Sequence, residues 1–431
     1  MSKKVAFYTL GCRVNQYETT ALAELFIKNG YTIVDFSEKS DLYIINTCAV
    51  TAESERKSAQ MIRRALREGG KVAVIGCYSQ LDPSLGGIEG VSFIGGSKDK
   101  TAVFREAEKL LRAQSAITED TDLTDCSYEQ TQIGTAATDI FSTCRAFVKI
   151  EDGCNGKCSY CIIPKVRGRV RSRPLEDILL EIQRLAERGY KEVVLTGIET
   201  SAYDYAPLSE LIRAIDRVRG IERLRFGSLS PKSITDDFLK AAVESRVFMP
   251  HMHLSLQSGS DRILKLMRRP YNKKQMCEKI EKIYSVLPHA LLSADLIVGF
   301  PTETEDDFQQ TLDLVGDYHL SHVHAFPFSP RPGTEAAAMA GRLDPHEVKA
   351  RNEKLIQHAL AVKQKILAEK IGTAQKVLVE KTIKGVSSGH TEDFLEVRFS
   401  SDERVETGDI VLVDIASYQD EYLTGKAYGK E

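Results

Sequence analysis

Residues 152–164 read DGCNGKCSYCIIP and directly follow AFVKIE, residues 146–151, which reads as a candidate strand. The stretch carries Cys154, Cys158 and Cys161 at C-x3-C-x2-C spacing on one short loop. Thiolates are soft ligands that suit zinc or iron–sulfur clusters. Structural zinc is normally closed by four ligands, typically as paired C-x2-C units. Only three thiols share this loop, and Cys144, just before the strand, is the nearest candidate for a fourth. Three thiolates suit instead a 4Fe–4S cube with one iron left open. The amino and carboxylate groups of S-adenosylmethionine (SAM) make the kind of chelate that such an iron accepts, and Tyr160, between the last two thiols, is placed to pack against an adenine.

Working downstream, candidate strands recur at 192–195, 224–229, 251–256, 292–298 and 323–328, with helical stretches between them. The clearest helix covers 175–188, with Leu175, Ile178, Leu179, Ile182 and Leu185 on one face, Pro174 at its start and Gly189 after it. Six strands with crossovers predict an α/β partial (β/α)6 barrel, whose chemistry sits at the C-terminal strand ends. Residues 344–371 then read as one long helix. The final stretch changes period: VLVEKTI, FLEVRFS, DIVLVDIAS and YLTGKAYG are short strands between turns, which predicts a small all-β barrel.

Upstream, strands at 5–9, 42–46 and 72–75 alternate with helices at 15–29 and from the N-cap Thr51 to about Glu68. This β-α-β-α-β order predicts a small doubly wound parallel sheet. A cysteine follows each strand: Cys12 in TLGCRVNQYET, Cys48 in INTCAVTAESE and Cys77 in VIGCYSQ. Loops after successive parallel strands gather at one sheet edge, so three distant thiols can converge on a second three-thiolate site. Each alone would read as a small buried residue. Cys126, Cys144 and Cys277 have no such arrangement and receive no role.

The expected organisation is an N-terminal domain at 1–115, a linker at 116–143, the barrel at 144–343, a connecting helix at 344–371 and the β module at 372–431. The segment 100–143 reads as polar and weakly patterned. The whole chain has 431 residues, 42% hydrophobic and 28% charged, with formal net charge −3, which excludes a disordered chain or a strongly basic RNA sponge. No apolar run of spanning length appears, and the start MSKKVAFYTLGCRV reads as a strand and not as an export signal. A reducing cytoplasmic setting is expected, without structural disulfides.

The three-cysteine loop and the six-unit βα series resemble the radical SAM superfamily. In that family the end of the second strand, here LTGIET, contacts the SAM amino group. The resemblance therefore implies cofactor-binding roles for Thr196, Gly197 and Glu199, with Gln257 and Gly299 at later strand ends. Taken with the N-terminal cysteines and the β module, the chain resembles the methylthiotransferases, which carry an N-terminal three-cysteine domain, a radical SAM barrel and a TRAM module. TLGCRVNQYET, HLSLQSGSD, IVGFPTETEDDF and HAFPFSPRPGT look most like the branch acting on N6-threonylcarbamoyladenosine in tRNA. Sister branches act on isopentenyladenosine in tRNA or on an aspartate of a ribosomal protein. A metal-stabilised RNA-binding scaffold is the non-enzymatic alternative.

By resemblance, Cys154, Cys158 and Cys161 hold the cluster for SAM cleavage, and Cys12, Cys48 and Cys77 hold a second 4Fe–4S cluster that carries the sulfur. Two SAM molecules are used per turnover, and an electron donor such as flavodoxin or ferredoxin is needed. A tRNA is the expected partner, no membrane is, and a monomer is expected. Candidate RNA contacts lie in KVRGRVRSR, residues 165–173, namely Lys165, Arg167, Arg169 and Arg171, and in the β module at Lys381 and Arg398. The module itself is acidic, with 7 Lys and Arg against 12 Asp and Glu over 372–431. Its affinity for RNA would therefore rest on a few placed residues. Phe394 and Phe399 read as core aromatics and not as base-stacking platforms.

Overall fold

The computed structural model describes residues 2–97, 100–112 and 144–430. The N-terminal part runs β1 (Lys4–Thr9), α1 (Arg13–Lys28), β2 (Thr32–Val34), β3 (Leu42–Thr47), α2 (Ala52–Arg67), β4 (Lys71–Gly76), α3 (Cys77–Leu81), β5 (Val91–Ile94) and α4 (Lys100–Arg112). Its five strands form one parallel sheet in the order β2-β1-β3-β4-β5. Both faces are apolar, as a parallel sheet covered on two sides requires. Phe7, Leu42 and Ile44 pack on Leu22 and Phe26 of α1, while Tyr43, Ile45 and Val74 pack on Met61 and Ile62 of α2. Thr51 caps α2 by accepting the Ser54 N–H, as its place in the sequence predicts. The pattern misses β2 and β5, which have three and four residues, too few to show a period. The reading of 100–143 as weakly patterned is also corrected at its start. Residues 100–112 form α4, with Val103, Phe104, Ala107, Leu110 and Leu111 buried against the sheet. Apolar residues at helical spacing suffice for one buried face even in a polar stretch. The residues expected to form the linker, and Cys126, lie outside the described residues.

The central part runs β6 (Arg145–Lys149), β7 (Glu151–Asp152), α5 (Ile163–Arg167), β8 (Arg171–Ser172), α6 (Leu175–Glu187), β9 (Glu192–Thr196), α7 (Leu208–Ile215), β10 (Arg223–Phe226), β11 (Ser228–Leu229), α8 (Asp236–Glu244), β12 (His251–Gln257), α9 (Asp261–Leu266), α10 (Lys273–Val286), β13 (Leu291–Val298), α11 (Glu305–Asp317), β14 (His322–Pro327) and α12 (Glu335–Ala338). Parallel neighbours run β6-β9-β10 and then β11-β12-β13-β14. The chain steps from one run to the other at Gly227, whose N–H donates to the Leu195 carbonyl at 2.7 Å. The result is the expected six-strand partial barrel, with β6 and β14 at its two edges. One side of each strand is apolar and packs against the helices: Ala146, Leu195, Leu224, Leu254, Ala294 and Leu296 belong to one core. The alternate residues are polar or aromatic, among them Glu192, His253, Asp295 and His324, and they face one another inside the barrel.

The long helix α13 (Pro345–Glu369) leads to β15 (Ala374–Ile383), β16 (Val386–Thr391), β17 (Glu396–Ser401), β18 (Ile410–Gln419) and β19 (Tyr422–Lys430). These strands close into a barrel in the order β15-β16-β17-β19-β18, the fold expected of a TRAM module. The sequence pattern misses β16, VSSGHT, because it lacks apolar alternation. Phe399 is buried in the module's core. Phe394 stacks on His251 and His390 at 4.8 and 4.5 Å, with the Arg225 and Arg145 guanidinium groups 4.9 and 5.2 Å from its ring centre. It thus joins the module to the N-terminal ends of the barrel strands. Cys144 is buried here with Leu378 and Ile410. It precedes β6, whereas the three-cysteine loop follows that strand's far end, so a four-thiol zinc site including Cys144 is excluded by position.

Candidate active site

The loop holding Cys154, Cys158 and Cys161 is pinched at its base. Glu151–Asp152 pair antiparallel with Arg171–Ser172, and the Cys154 N–H donates to the Gly168 carbonyl at 3.1 Å. Gly153 has φ +83°, and a Cβ there would lie 2.1 Å from the Arg169 carbonyl oxygen, so only glycine fits the pinch. Inside the loop the Gly156 N–H donates to Cys154 Sγ at 3.2 Å. A Cβ on Gly156 would stand 3.1 and 3.9 Å from the sulfurs of Cys154 and Cys158. Arg269 donates to Cys158 Sγ at 3.3 Å. Burial lifts the Cys154 thiol and pushes Cys161 up to about 12. Such thiols stay protonated at neutral pH unless a soft cation takes the proton's place, which fits a metal-cluster donor set.

Cys12, Cys48 and Cys77 follow β1, β3 and β4, three neighbouring parallel strands. The register places their C-terminal ends side by side, and Asn15 locks two of them by donating to the carbonyls of Leu10 and Thr47 at 2.7 and 3.1 Å. Gly11, at φ +100°, brings the chain so close that a Cβ would lie 2.8 Å from Cys48 Sγ. Burial raises Cys48, and it pushes Cys77 up to about 12 against the pull of Arg167, while Cys12 is exposed. The three thiols lie within electrostatic range of one another. Three soft donors brought to one sheet edge, with Gly11 leaving room beside Cys48, suit a second cluster as the first set suits its own.

Arg167 connects the two sets. It is fully buried at the end of α5, directly after the three-cysteine loop. Its Nε donates to Cys77 Sγ at 3.2 Å, and its other nitrogens donate to Glu18 at 2.7 Å, Asp152 at 3.1 Å and Asn15 at 2.7 Å. Lys100 and Lys149 complete this ion cluster around Glu18, at 3.4 and 3.3 Å. The expected RNA role of Arg167 is therefore corrected: no part of it reaches solvent. Along residues 165–173 the side chains alternate, with Lys165 and Arg169 exposed while Arg167 and Arg173 are buried. Arg171 is half-buried and donates to the carbonyls of Arg167 and Arg169. Much of this basic run is an internal seam between two parts of the fold.

Among the other expected residues, Gly197 and Glu199 meet Glu151. A Cβ on Gly197 would lie 2.1 Å from Glu151 Oε1, and the Glu199 N–H donates to that oxygen at 2.7 Å. Glu151 Oε2 is buried without a partner, and burial pushes this carboxyl up to about 8. Thr196 is buried at the end of β9. Gln257 is buried at a bulge that ends β12, with φ +71°. The Gly299 N–H donates to Glu303 at 2.8 Å, and a Cβ there would lie 2.5 Å from a Val348 methyl on α13. Tyr160 is half-buried against Ile263, Met267, Phe300 and Ala336. Lys381 is exposed, and Arg398 is paired with Glu396 at 2.8 Å over the Tyr422 ring. Sequence reasoning misses Glu151, Arg269 and the ion cluster, whose partners lie far apart in the chain. A glutamate directly before a cysteine loop was the one local signal.

Comparison with known proteins narrows what this site is. A family model described as the radical SAM superfamily matches residues 148–315, and one described as uncharacterized protein family UPF0004 matches residues 4–86. The solved radical S-adenosylmethionine methyltransferase TsrM from Kitasatospora setae shares the fold, with TM-score 0.57 and 14% identity over 90% of this chain and 77% of its own. The fold and the cysteine loop thus define a radical SAM enzyme, with a 4Fe–4S cluster and SAM as its cofactors. Curated relatives reach further. The threonylcarbamoyladenosine tRNA methylthiotransferase MtaB of Bacillus subtilis is 35% identical over 95% of this chain and 93% of its own length. That of Thermotoga maritima is 35% identical over 92% and 91%. The tRNA-2-methylthio-N(6)-dimethylallyladenosine synthase of Pseudothermotoga lettingae is 34% identical over 99% and 98%. The chain belongs to the radical SAM methylthiotransferase family. Among the described residues no helix is long and apolar enough to cross a membrane.

Proposed function

We propose that this enzyme acts on tRNA, converting N6-threonylcarbamoyladenosine at position 37 to its 2-methylthio derivative. Cys154, Cys158 and Cys161 hold the cluster that meets SAM, and Cys12, Cys48 and Cys77 hold a second 4Fe–4S cluster. The observation that carries the reading is the gathering of Cys12, Cys48 and Cys77 at one sheet edge, tied by Arg167 to the loop of the other three. When bound, the two clusters with two SAM molecules per turnover supply a carbon radical, a sulfur atom and a methyl group, using electrons from a small donor such as flavodoxin or ferredoxin.

The chain's own residues bind and orient. The orphaned Glu151 Oε2, beside Gly197 and Glu199, suits the SAM ammonium group. Arg269 steadies Cys158. Lys165 and Arg169 are exposed beside the loop and are available for RNA phosphates, together with Lys381. The relatives named for the threonylcarbamoyl nucleoside support that substrate over the isopentenyl one. A cytoplasmic location fits this reading.

Nucleoside mass spectrometry of tRNA from a deletion strain tests it. Loss of the 2-methylthio, threonylcarbamoyl nucleoside is expected. Loss of the 2-methylthio, isopentenyl nucleoside instead would transfer the enzyme to the sister branch, and unchanged tRNA would remove the tRNA reading. Anaerobic reconstitution is expected to bind about eight irons per chain, four for each cysteine set.

A further inference from the structure

The interior of the barrel is unusually polar for a packed core. His253 Nε2 donates to Asp295 at 3.0 Å, and its Nδ1 meets Ser293 Oγ at 2.8 Å. His324 stands over His253 at 5.0 Å and beside His322 at 4.7 Å, and with Phe326 it is open to solvent along β14. A neutral imidazole such as that of His324 offers one donor and one acceptor nitrogen for hydrogen bonding. Deeper in, Arg145 and Arg225 are both spent on Glu192, at 2.9 and 3.2 Å.

Arg13 differs from those two. It opens α1 directly after Cys12 and reaches from the N-terminal sheet to the ring of Phe147 on β6, 5.7 Å from the centroid. Arg145, Glu192 and Asp295 lie within electrostatic range, yet among the described contacts Arg13 makes no hydrogen bond and no ion pair. It is largely desolvated, and a guanidinium in such a place presents a rigid fork of donors that matches a carboxylate. Asp295, already bonded to His253, does not supply that partner.

The two candidate nucleosides differ in the group they would bring to this space. A threonylcarbamoyl group carries a carboxylate, a hydroxyl, one N–H group and a carbonyl, whereas an isopentenyl group is wholly apolar. An apolar group would leave the Arg13 guanidinium without a partner, and such unpaired donors are what make polar sites selective. We propose that Arg13 receives the carboxylate of the threonylcarbamoyl group, with His324 beside it for the carbamoyl or hydroxyl group. The inference rests on the threonylcarbamoyl assignment and adds the residue that selects it.

The test is a cycle between protein and substrate. Anticodon stem-loop RNAs carry either N6-threonylcarbamoyladenosine or its analogue lacking only the carboxylate, and kcat/KM for methylthiolation is measured for wild type, Arg13→Met and Arg13→Lys, with iron counted in each. Wild type is expected to prefer the acid by about 10- to 100-fold, the range of a charge-assisted hydrogen bond. Arg13→Met should bring that preference to within about 3-fold, mostly through KM, and Arg13→Lys should fall between. A wild type indifferent to the carboxylate overturns the inference with no variant needed, as does an Arg13→Met enzyme that keeps the preference. Equal losses on both RNAs with weaker SAM binding would assign Arg13 to the carboxylate of SAM and overturn it too. If wild type modifies neither RNA, the nucleoside assignment itself fails. An active wild type with an unmoved ratio removes Arg13 alone.

Discussion

Cys154, Cys158 and Cys161 sit on one loop after one strand, whereas Cys12, Cys48 and Cys77 arrive from the ends of three. The first set needs a single pinched hairpin, held by the Glu151–Asp152 pairing and by Gly153. The second needs the register of β1, β3 and β4 to be right, and then Asn15, Gly11 and Arg167 to hold the strand ends together. A local motif survives disturbance elsewhere in the fold. A convergent one inherits every weakness of the sheet that builds it. The two sets should therefore fail differently.

The largest effect expected is at the sulfurs themselves. Cys158→Ala should reduce 5′-deoxyadenosine formation to background, because the SAM-meeting cluster loses one of its three thiolates. Cys48→Ala should leave SAM cleavage measurable and stop methylthio product, with iron falling from about eight to about four per chain. Full methylthiolation by Cys48→Ala would break the comparison, since the second set would then have no part in sulfur delivery.

Arg167→Met comes next and should injure the second set far more than the first. It strips a buried guanidinium from Glu18 and Asp152 and removes the N–H on Cys77. Breaking a buried ionic cluster from one side costs about 3–5 kcal/mol, read as a lower urea midpoint. Iron should be lost from the second set while SAM cleavage persists. Equal loss of iron from both sets would show that Arg167 supports the fold as a whole and does not distinguish them.

The same seam predicts how the molecule responds to acid. Burial opposes ionisation of Glu18, but Arg167, Lys100 and Lys149 overcome it and hold the carboxyl well below the usual range. Asp152 is lowered in the same way, with Arg167 and Lys149 outweighing burial. For carboxyls depressed in the folded state, the stabilisation is full above their unfolded values, about pH 4, begins to erode there, and is lost progressively as pH falls toward the much lower folded values. Acid well below about pH 4 should thus loosen the N-terminal sheet from the barrel before the barrel melts. Hydrogen exchange at about pH 2 to 3 should show α1 and α4 opening ahead of β12 and β13. Simultaneous opening would mean that the seam carries no separate share of stability.

How much of this was legible in the sequence follows the same division. The cysteine loop could be read whole, because its ligands and its strand lie within one window. The second set could be read only through topology: Cys12, Cys48 and Cys77 share no spacing rule, and their common position after a strand was the signal. The basic run at 165–173 misled for a physical reason. Five cations in nine residues look like a phosphate patch, yet Glu18 and Asp152, one of them far upstream, draw Arg167 inside. A buried ion pair leaves the same letters as a solvated one. Glu151 was passed over likewise, since its meaning depends on Gly197 lacking a side chain.

The smallest effect expected lies away from both cysteine sets, at the join between the barrel and the β module. Phe394 is stacked between two imidazoles and flanked by two guanidinium groups, an arrangement worth about 1–2 kcal/mol beyond its contact area. Phe394→Ala should loosen the β module and raise exchange in β15 and β16, while iron stays near eight per chain and SAM cleavage is kept. If the module carries part of the RNA affinity, KM for tRNA should rise with little change in kcat. Iron lost from the second set would instead mean that strain at the N-terminal ends of the barrel strands travels through the polar interior to Arg13 and Cys12. The convergent set would then depend on a third region of the molecule, and the contrast with the local loop would be sharper still.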